Sequence, residues 1–97
     1  MLLDGFYDVL SKSESEAQIK LTDASHPLFK AHFPQNPILP GFVHLDIIED
    51  IFDFEISVIK RAKYSALVVP NEELTYIKEA SKVKVLSGEK TVASFSF

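Results

Sequence analysis

One short segment of the chain, HFPQNPILPGFVHLD from His32 to Asp46, carries most of the groups suited to chemistry. It contains three prolines, a glycine and two histidines, and it ends on an acid. A histidine near neutral pH can accept a proton, and a carboxyl kept protonated by burial can donate one. His32 and Asp46 are therefore candidates for a general base and a general acid.

The prolines and the glycine of this segment define how the chain enters a helix. Asn36-Pro37 and Leu39-Pro40 hold residues 36 and 39 in extended backbone. Gly41 then opens the predicted helix, where N–H groups lack intrahelical partners and carry the positive end of the helix dipole. Because a glycine lets another molecule approach the backbone closely, its N–H is a candidate donor to a carbonyl oxygen that gains negative charge.

A base, an acid and an oxyanion donor together can remove a proton beside a carbonyl and expel a β-hydroxyl as water. Residue types alone do not establish this chemistry, because a histidine beside a phenylalanine is more often a packed or solvent-facing residue. The spacing of the segment carries more information than its composition.

This spacing resembles the signature of the β-hydroxyacyl-acyl-carrier-protein dehydratases, which have the hotdog fold. The signature is His-Phe-Pro, two variable residues, Pro-x-x-Pro-Gly, and an acid fourteen residues after the histidine. The chain also resembles the small ApeI-like members of aryl-polyene and related pathways, and the FabZ and FabA types. The matching residues, with no gap, are His32, Phe33, Pro34, Pro37, Pro40, Gly41 and Asp46.

The resemblance implies a role for each of these groups. His32 is expected to remove the C2 proton, Asp46 to protonate the leaving hydroxyl, and the Gly41 amide to bind the thioester carbonyl. It implies no metal or organic cofactor, and the three histidines have no zinc-ligand spacing. The residues expected to line the substrate site are Phe33, Pro40 and Phe42.

The elements around this segment are predicted from hydrophobic periodicity. Residues 16–23 alternate apolar and polar side chains, which is typical of a half-buried strand. The only strong helical pattern covers residues 42–54, and a bend or bulge is expected at Ala80-Ser81. These features predict a single α+β domain over residues 1–97, with the sheet curled round one helix, and the resemblance implies that this domain has the hotdog fold. The other predicted strands are 6–13, 57–69, 73–86 and 89–97.

The predicted helix carries an acidic stripe opposite its apolar side. At ~100° per residue, Asp46, Glu49, Asp50 and Asp53 fall on this stripe. We expect Asp46 to lie at a subunit seam and the other three to be solvated. Asp50, where the family often has Gln, would raise the pKa of one member of the pair if both were buried. His44 lies in the apolar arc and is predicted to be a core or pocket-lining residue.

A long strand at the sheet edge predicts edge-to-edge pairing into a homodimer. The resemblance implies that each active site takes its histidine from one subunit and its acid from the other. It also implies an acyl carrier protein as the holder of the substrate. Three cations on the predicted edge strand, Lys60, Arg61 and Lys63, are candidates for docking that acidic partner.

The composition excludes several classes of function. A net charge of −4 gives no general attraction to nucleic acid or to anionic membranes. The chain has no cysteine, which excludes disulfides and thiolate chemistry. The apolar runs are far shorter than the ~20 residues that a membrane-spanning helix needs, so we expect a cytoplasmic protein.

The predicted reaction is dehydration of a (3R)-hydroxyacyl thioester to the trans-2-enoyl thioester. Two alternatives stay open. A thioesterase of the same fold would use a helix carboxylate to activate water without the His-Phe-Pro element. A non-catalytic subunit would keep the fold and bind the acyl carrier protein without turning over its cargo.

Overall fold

The computed structural model describes residues 3–31 and 35–97. Its elements, in chain order, are β1 Tyr7–Lys12, β2 Glu16–Leu21, α1 Pro27–Ala31, α2 Val43–Phe52, β3 Arg61–Tyr64, β4 Glu73–Glu79, β5 Lys82–Ser87 and β6 Lys90–Ser96. The six strands form one antiparallel sheet in the order β1-β2-β4-β5-β6-β3. The predicted helix between two groups of strands is confirmed, and the predicted edge strand lies at one end of this order.

The first hairpin follows the sequence pattern closely. In β2, Ala17, Ile19 and Leu21 are buried and the intervening residues are exposed, because successive side chains of a strand point to opposite faces. The turn is closed by Ser13, whose N–H donates to the Glu16 carbonyl at 2.7 Å and whose Oγ accepts from the Glu16 N–H at 3.1 Å. Both strands predicted in this region are confirmed.

The predicted single strand over residues 73–86 is wrong. Ala80 and Ser81 form a tight turn that separates β4 from β5, and Glu79 pairs with Lys82 across it. Ala80 adopts a φ of 50°, a left-handed conformation that residues other than glycine and asparagine seldom take. Because this turn contains neither Gly nor Asn, the sequence lacks the usual hairpin signal. The bend expected there is a complete reversal of the chain.

The predicted edge strand is also shorter than expected, since only Arg61–Tyr64 of residues 57–69 pair as β3. After β3, the N–H groups of Ser65 and Ala66 both donate to the Val92 carbonyl, at 2.8 and 3.2 Å. Because these two successive N–H groups share one carbonyl, the backbone leaves the regular hydrogen-bonding pattern with β6 at this point. The following residues then contact the segment before α2 instead of continuing the strand, as described below for Val68.

Helix α2 packs one face against the sheet. Val43, Ile47, Ile48 and Ile51 are buried, while Leu45 and Phe52, which the pattern also assigned to the apolar side, are half-buried. Removing such aliphatic side chains from water stabilises the fold by ~1.5–3 kcal/mol each. The sheet side of this core includes Ile19, Leu74, Tyr76, Val83, Val85 and Phe95.

The helix is ten residues long, slightly shorter than the predicted 42–54. It ends at Asp53, which has a left-handed backbone (φ 55°) and donates its N–H to the Glu49 carbonyl, a common way to close a helix. Within residues 3–31 and 35–97, neither helix has the length and apolar character required to cross a lipid bilayer.

Candidate active site

Two of the predicted site residues, His32 and Phe33, lie outside the described residues, so the described site begins further along the segment. Leu39 is 5% exposed, and its N–H donates to the Val68 carbonyl at 2.7 Å. This bond attaches the stretch between Pro37 and Pro40 to the chain that follows β3. The approach to α2 is therefore fixed both by proline geometry and by a hydrogen bond to a distant part of the sequence.

The side chain of Tyr64 occupies the space beside Gly41. A β-carbon added to residue 41 would stand 2.6 Å from Tyr64 Cε1 and 2.8 Å from Tyr64 Cζ, which is closer than real contacts allow. Tyr64 in turn packs edge-on against Phe95, with ring centroids 5.7 Å apart. The sequence led us to expect that another molecule approaches the Gly41 backbone. On the side where a β-carbon would project, the Tyr64 side chain of the same chain approaches it instead. Sequence patterns missed Tyr64 because they cannot show which residue approaches a glycine.

The turn that starts α2 leaves one amide available. The N–H groups of Val43, His44 and Leu45 donate to carbonyls three residues earlier, at 3.0, 3.2 and 3.1 Å. No side chain caps the helix. Within the described part of the chain, the Gly41 N–H has no hydrogen-bond partner. It lies at the positive end of the α2 dipole, where a developing negative charge is stabilised.

Asp46 lies in the first turn of α2 and is half-buried. Burial raises the pKa of this carboxyl, and the nearby charge of Glu49 raises it further. Both effects favour the protonated form, since burial penalises a charge and a second carboxylate repels it. The predicted role of Asp46 as a general acid stays a prediction, and the direction of its pKa shift is the one that this role requires.

The second carboxylate is a different residue from the one expected. Asp50 is exposed and accepts a hydrogen bond from the Tyr7 hydroxyl, whereas Glu49 is the residue whose charge acts on Asp46. Glu49 is half-buried, and its Oε2 accepts from the Ile56 N–H at 2.7 Å. The prediction that Glu49 is solvated is therefore wrong, while Asp50 and Asp53 are exposed as predicted.

His44 belongs to the core. It is 3% exposed, and its Nδ1 is joined to the Tyr76 hydroxyl by a 2.8 Å hydrogen bond. Burial lowers the pKa of His44 to about 4, so the ring is neutral at physiological pH. Tyr76 and Phe95 surround it. The prediction of a core histidine is confirmed.

His26 holds the segment that leads towards residue 32. Its Nδ1 accepts from the Leu28 N–H at 3.1 Å, which places the ring proton on Nε2, and Nε2 donates to the Asp4 carbonyl at 2.8 Å. The ring also packs edge-on against Phe6 at 5.0 Å. These contacts fasten the start of α1 to the beginning of the chain. His26 thus lies in a turn directly before the short helix α1.

The remaining predicted site residues are divided between two faces of the sheet. Pro40 is half-buried and Phe42 is 51% exposed, both beside Gly41 in sequence. Arg61 and Lys63 alternate with Tyr64 along β3 and therefore point to the outer face, away from α2. Lys60 precedes the strand and is exposed.

Among residues 3–31 and 35–97, no three His, Asp or Glu side chains are grouped to hold a metal ion.

Comparison with known proteins identifies related sequences. The model of the ApeI-like family, described as ApeI dehydratase, matches residues 9–96. A curated relative from Clostridium botulinum (strain Okra / Type B1), 3-hydroxyacyl-[acyl-carrier-protein] dehydratase FabZ, is 26% identical over 92 residues. That alignment covers 81% of this chain and 64% of the relative. The chain therefore spans less than two thirds of the FabZ length.

Two solved structures share the fold. The dehydratase heterocomplex ApeI:P from Xenorhabdus doucetiae is 19% identical with a TM-score of 0.69, and the match covers 92% of this chain and 93% of that one. The PaaI protein from the phenylacetic acid degradation operon of E. coli is 15% identical with a TM-score of 0.61, covering 97% and 82%. These neighbours are hotdog-fold proteins, so the predicted hotdog fold is confirmed.

Proposed function

Because the chain belongs to the ApeI-like dehydratase family, we propose that it dehydrates a (3R)-hydroxyacyl thioester carried by an acyl carrier protein to the trans-2-enoyl thioester. The observation that carries this proposal is the geometry at the start of α2. It presents an unpaired Gly41 N–H and, five residues later, a carboxyl at Asp46 whose pKa is raised. An amide that stabilises an oxyanion and an acid that supplies a proton are two of the three groups the reaction requires.

The third group in the proposal is His32. Its imidazole removes the C2 proton while the thioester oxygen accepts a hydrogen bond from the Gly41 N–H. The electron pair of the broken C2–H bond forms the C2–C3 double bond, and the C3–O bond breaks. Asp46 gives its proton to the departing hydroxyl, which leaves as water. Each turnover ends with His32 protonated and Asp46 ionised, and a net proton transfer from His32 to Asp46 through solvent restores both.

The surroundings of these groups fit an acyl substrate. Phe42 is 51% exposed although it is aromatic, and with Pro40 and Phe33 it would contact the acyl chain. We place Lys60, Arg61 and Lys63 among the residues that hold the acidic carrier protein, because all three are exposed. The site needs no organic cofactor in this mechanism, since proton transfers alone balance the reaction.

We further propose that the active form is a homodimer joined through β3. This strand ends the order of the described sheet, and an unpaired strand edge is a template for pairing with another chain. Exposed apolar residues lie on both sides of it in sequence, with Val58 at 64%, Leu67 at 68% and Val69 at 41%. Leaving such residues in water is unfavourable, so a second subunit is expected to cover them.

The test is incubation with a 3-hydroxyacyl carrier protein and mass analysis of the acyl product. Loss of one water is expected for the wild type, whereas His32→Ala and Asp46→Asn should lose activity by ~10²–10⁴-fold. Asp53→Asn, on the same helix but exposed, is the matched control and should keep full activity. Full turnover by His32→Ala would refute the assignment, and release of free thiol would identify a thioesterase instead.

A second candidate is a non-catalytic subunit of a two-protein dehydratase. The similarity to the ApeI:P heterocomplex favours it, since that dehydratase is named as a complex of two proteins. In this case the chain alone would bind acyl carrier protein without forming product, and adding a separate hotdog subunit would produce turnover. Assays of the purified chain on its own distinguish this candidate from the first.

A further inference from the structure

Four cations from two distant parts of the sequence share the outer face of the sheet. Strand β6 lies between β3 and β5, and its Ser96 is opposite both Arg61 and Lys82. One row further, Ser94 is opposite both Lys63 and Lys84. These four cations and two serines are called the basic grid below. All four cations are exposed, and the serines are half-buried.

The burial of the alternate residues on the same strands confirms that the basic grid lies on the outer face of the sheet. The residues that alternate with the basic grid are Tyr64, Val83, Val85 and Phe95, and the last three of them are buried under α2. Side chains of a strand alternate strictly between faces, so the cations point away from the helix. Chemistry at Gly41 and charge at the basic grid therefore lie on opposite sides of one sheet.

The basic grid forms a shallow groove. Neighbouring strands are ~4.8 Å apart, so the two columns of cations are ~10 Å apart with short serines between them. An α-helix with its side chains is ~10–12 Å across and can lie along β6 with cations on both sides. The serine hydroxyls at the floor can donate to carboxylates or to a phosphate.

The electrostatics favour an acidic partner. Among the residues that the structure describes, no ion pair involves any of the four cations. One acid, Glu79, borders the grid, directly opposite Lys82 on β4, and it also lines the groove formed with Arg61, Lys84 and Ser94. The chain as a whole has a net charge of −4, so the basic grid is a positively charged region on a protein that is negatively charged overall. Such patches attract an oppositely charged surface and orient it.

We propose that the basic grid is the docking surface for an acidic helix of the acyl carrier protein, with Lys82 and Lys84 contributing alongside the β3 cations. The identity of the partner rests on the proposed function, whereas the preference for an acidic helix rests on the spacing and charge of the grid. Lys84 should contribute more than Lys82, because Glu79 already compensates part of the Lys82 charge.

The experiment measures binding of a carrier protein that lacks its phosphopantetheine arm, which separates docking from occupation of the active site. Lys84→Glu and Arg61→Glu should each weaken binding about tenfold or more, and Lys82→Glu should weaken it less. Lys90→Glu, an exposed lysine in the β5–β6 turn region, is the matched control and should change binding by less than twofold. The wild-type affinity should fall steeply as salt increases.

Turnover of a small pantetheine thioester by Lys82→Glu, Lys84→Glu and Lys90→Glu should equal that of the wild type. Binding unchanged in a Lys82→Glu/Lys84→Glu double variant, or lost equally in Lys90→Glu, would overturn the proposal. So would grid-dependent binding to phosphatidylserine vesicles with no binding to the carrier protein. If the wild type binds the carrier through the grid but dehydrates no thioester, the proposed function fails and the docking surface stands.

Discussion

Tyr64 on β3 and Gly41 before α2 fit together only because residue 41 has no side chain. The ring atoms Cε1 and Cζ fill the position that a β-carbon would take. This contact joins the edge strand to the start of the helix. It also places an aromatic ring, 51% exposed, directly beside the amide that is proposed to bind the thioester oxygen.

Gly41→Ala should therefore displace either Tyr64 or the Gly41 amide. We expect turnover to fall about a hundredfold, since a shift near 1 Å at a reacting centre has an effect of that size. The double variant Gly41→Ala/Tyr64→Ala removes the clashing ring and should recover part of the lost kcat. Steady-state kinetics of the single and double variants check this.

Gly88→Ala is the matched control. Gly88 has a φ of 63° and nothing within 4 Å of an added β-carbon, so the substitution introduces backbone strain without touching the site. It should lower stability by ~1–2 kcal/mol and leave kcat unchanged. If the double variant is as inactive as Gly41→Ala alone, contact with Tyr64 does not explain the need for glycine.

The pH dependence of turnover should reveal the charge of Glu49. Asp46 must be protonated to act as the proposed general acid, so we expect activity to decline as pH rises through the pKa of Asp46. Glu49→Gln keeps an oxygen acceptor for the Ile56 N–H but removes the charge that helps to raise the pKa of Asp46. The alkaline side of the pH–kcat profile should therefore move to lower pH.

Asp50→Asn tests whether this shift is specific. Asp50 is one helical turn from Asp46 but is exposed and bonded to Tyr7, so its neutralisation should move the profile less than Glu49→Gln does. A larger shift in Asp50→Asn than in Glu49→Gln would assign the coupling to the residue that the family pattern indicates. The profiles are measured under identical salt, since screening weakens both effects.

The difference between Glu49 and Asp50 shows what periodicity can and cannot predict. Residues three and four positions after Asp46 lie on the same side of a helix, so the pattern places both carboxylates near it. Which one couples depends on the Tyr7 hydroxyl and the Ile56 N–H, and these come from outside the helix. Periodicity located β2 and α2 well because it records burial along one element. For the same reason it cannot show which contacts a residue makes with other elements.

The Ala80-Ser81 hairpin and the packing of Tyr64 on Gly41 have a similar explanation. A φ of 50° at Ala80 is imposed by the pairing of β4 with β5, and neither residue of the turn is of a type that predicts it. The basic grid likewise depends on strand order, because Arg61 and Lys82 are brought to one serine by β6. The motif from His32 to Asp46 indicated the dehydratase family, whereas partners across the sheet needed the structure.

The buried His44 should make the protein sensitive to acid. Burial lowers the pKa of His44 from 6.5 to about 4, so below pH 6.5 the unfolded chain binds a proton that the folded chain does not. Stability from this group is complete above pH 6.5 and is lost as pH falls towards 4. Linkage gives a loss of roughly 3 kcal/mol over that interval.

Denaturant unfolding between pH 7 and pH 4 measures this loss, and two variants isolate it. Tyr76→Phe removes the hydroxyl partner but keeps the imidazole, so the acid sensitivity should persist at lower overall stability. His44→Leu/Tyr76→Phe removes both polar groups without leaving one unpaired in the core, and its stability should depend less on pH by about the stated amount. Equal pH dependence in all three proteins would show that His44 does not titrate in this range.

The exposed apolar residues beside β3 give the last prediction, which concerns assembly. If β3 pairs with its counterpart in a second subunit, Val58→Asp/Leu67→Asp should place charges at a buried interface, and an unpaired buried charge is strongly unfavourable. Sedimentation should then show a monomer where the wild type is a dimer. Turnover should fall with it, because the resemblance implies an active site that takes its base and its acid from different subunits.

The opposite edge of the sheet provides the control. Val9 and Leu10 on β1 are also exposed, at 50% and 49%, so Val9→Asp/Leu10→Asp introduces the same charges at similarly exposed positions. The homodimer predicts that this variant stays dimeric and active. Dissociation in the β1 variant together with an intact dimer in the β3 variant would place the interface at the β1 edge. The prediction that Asp46 lies at a subunit interface formed by β3 would then be wrong.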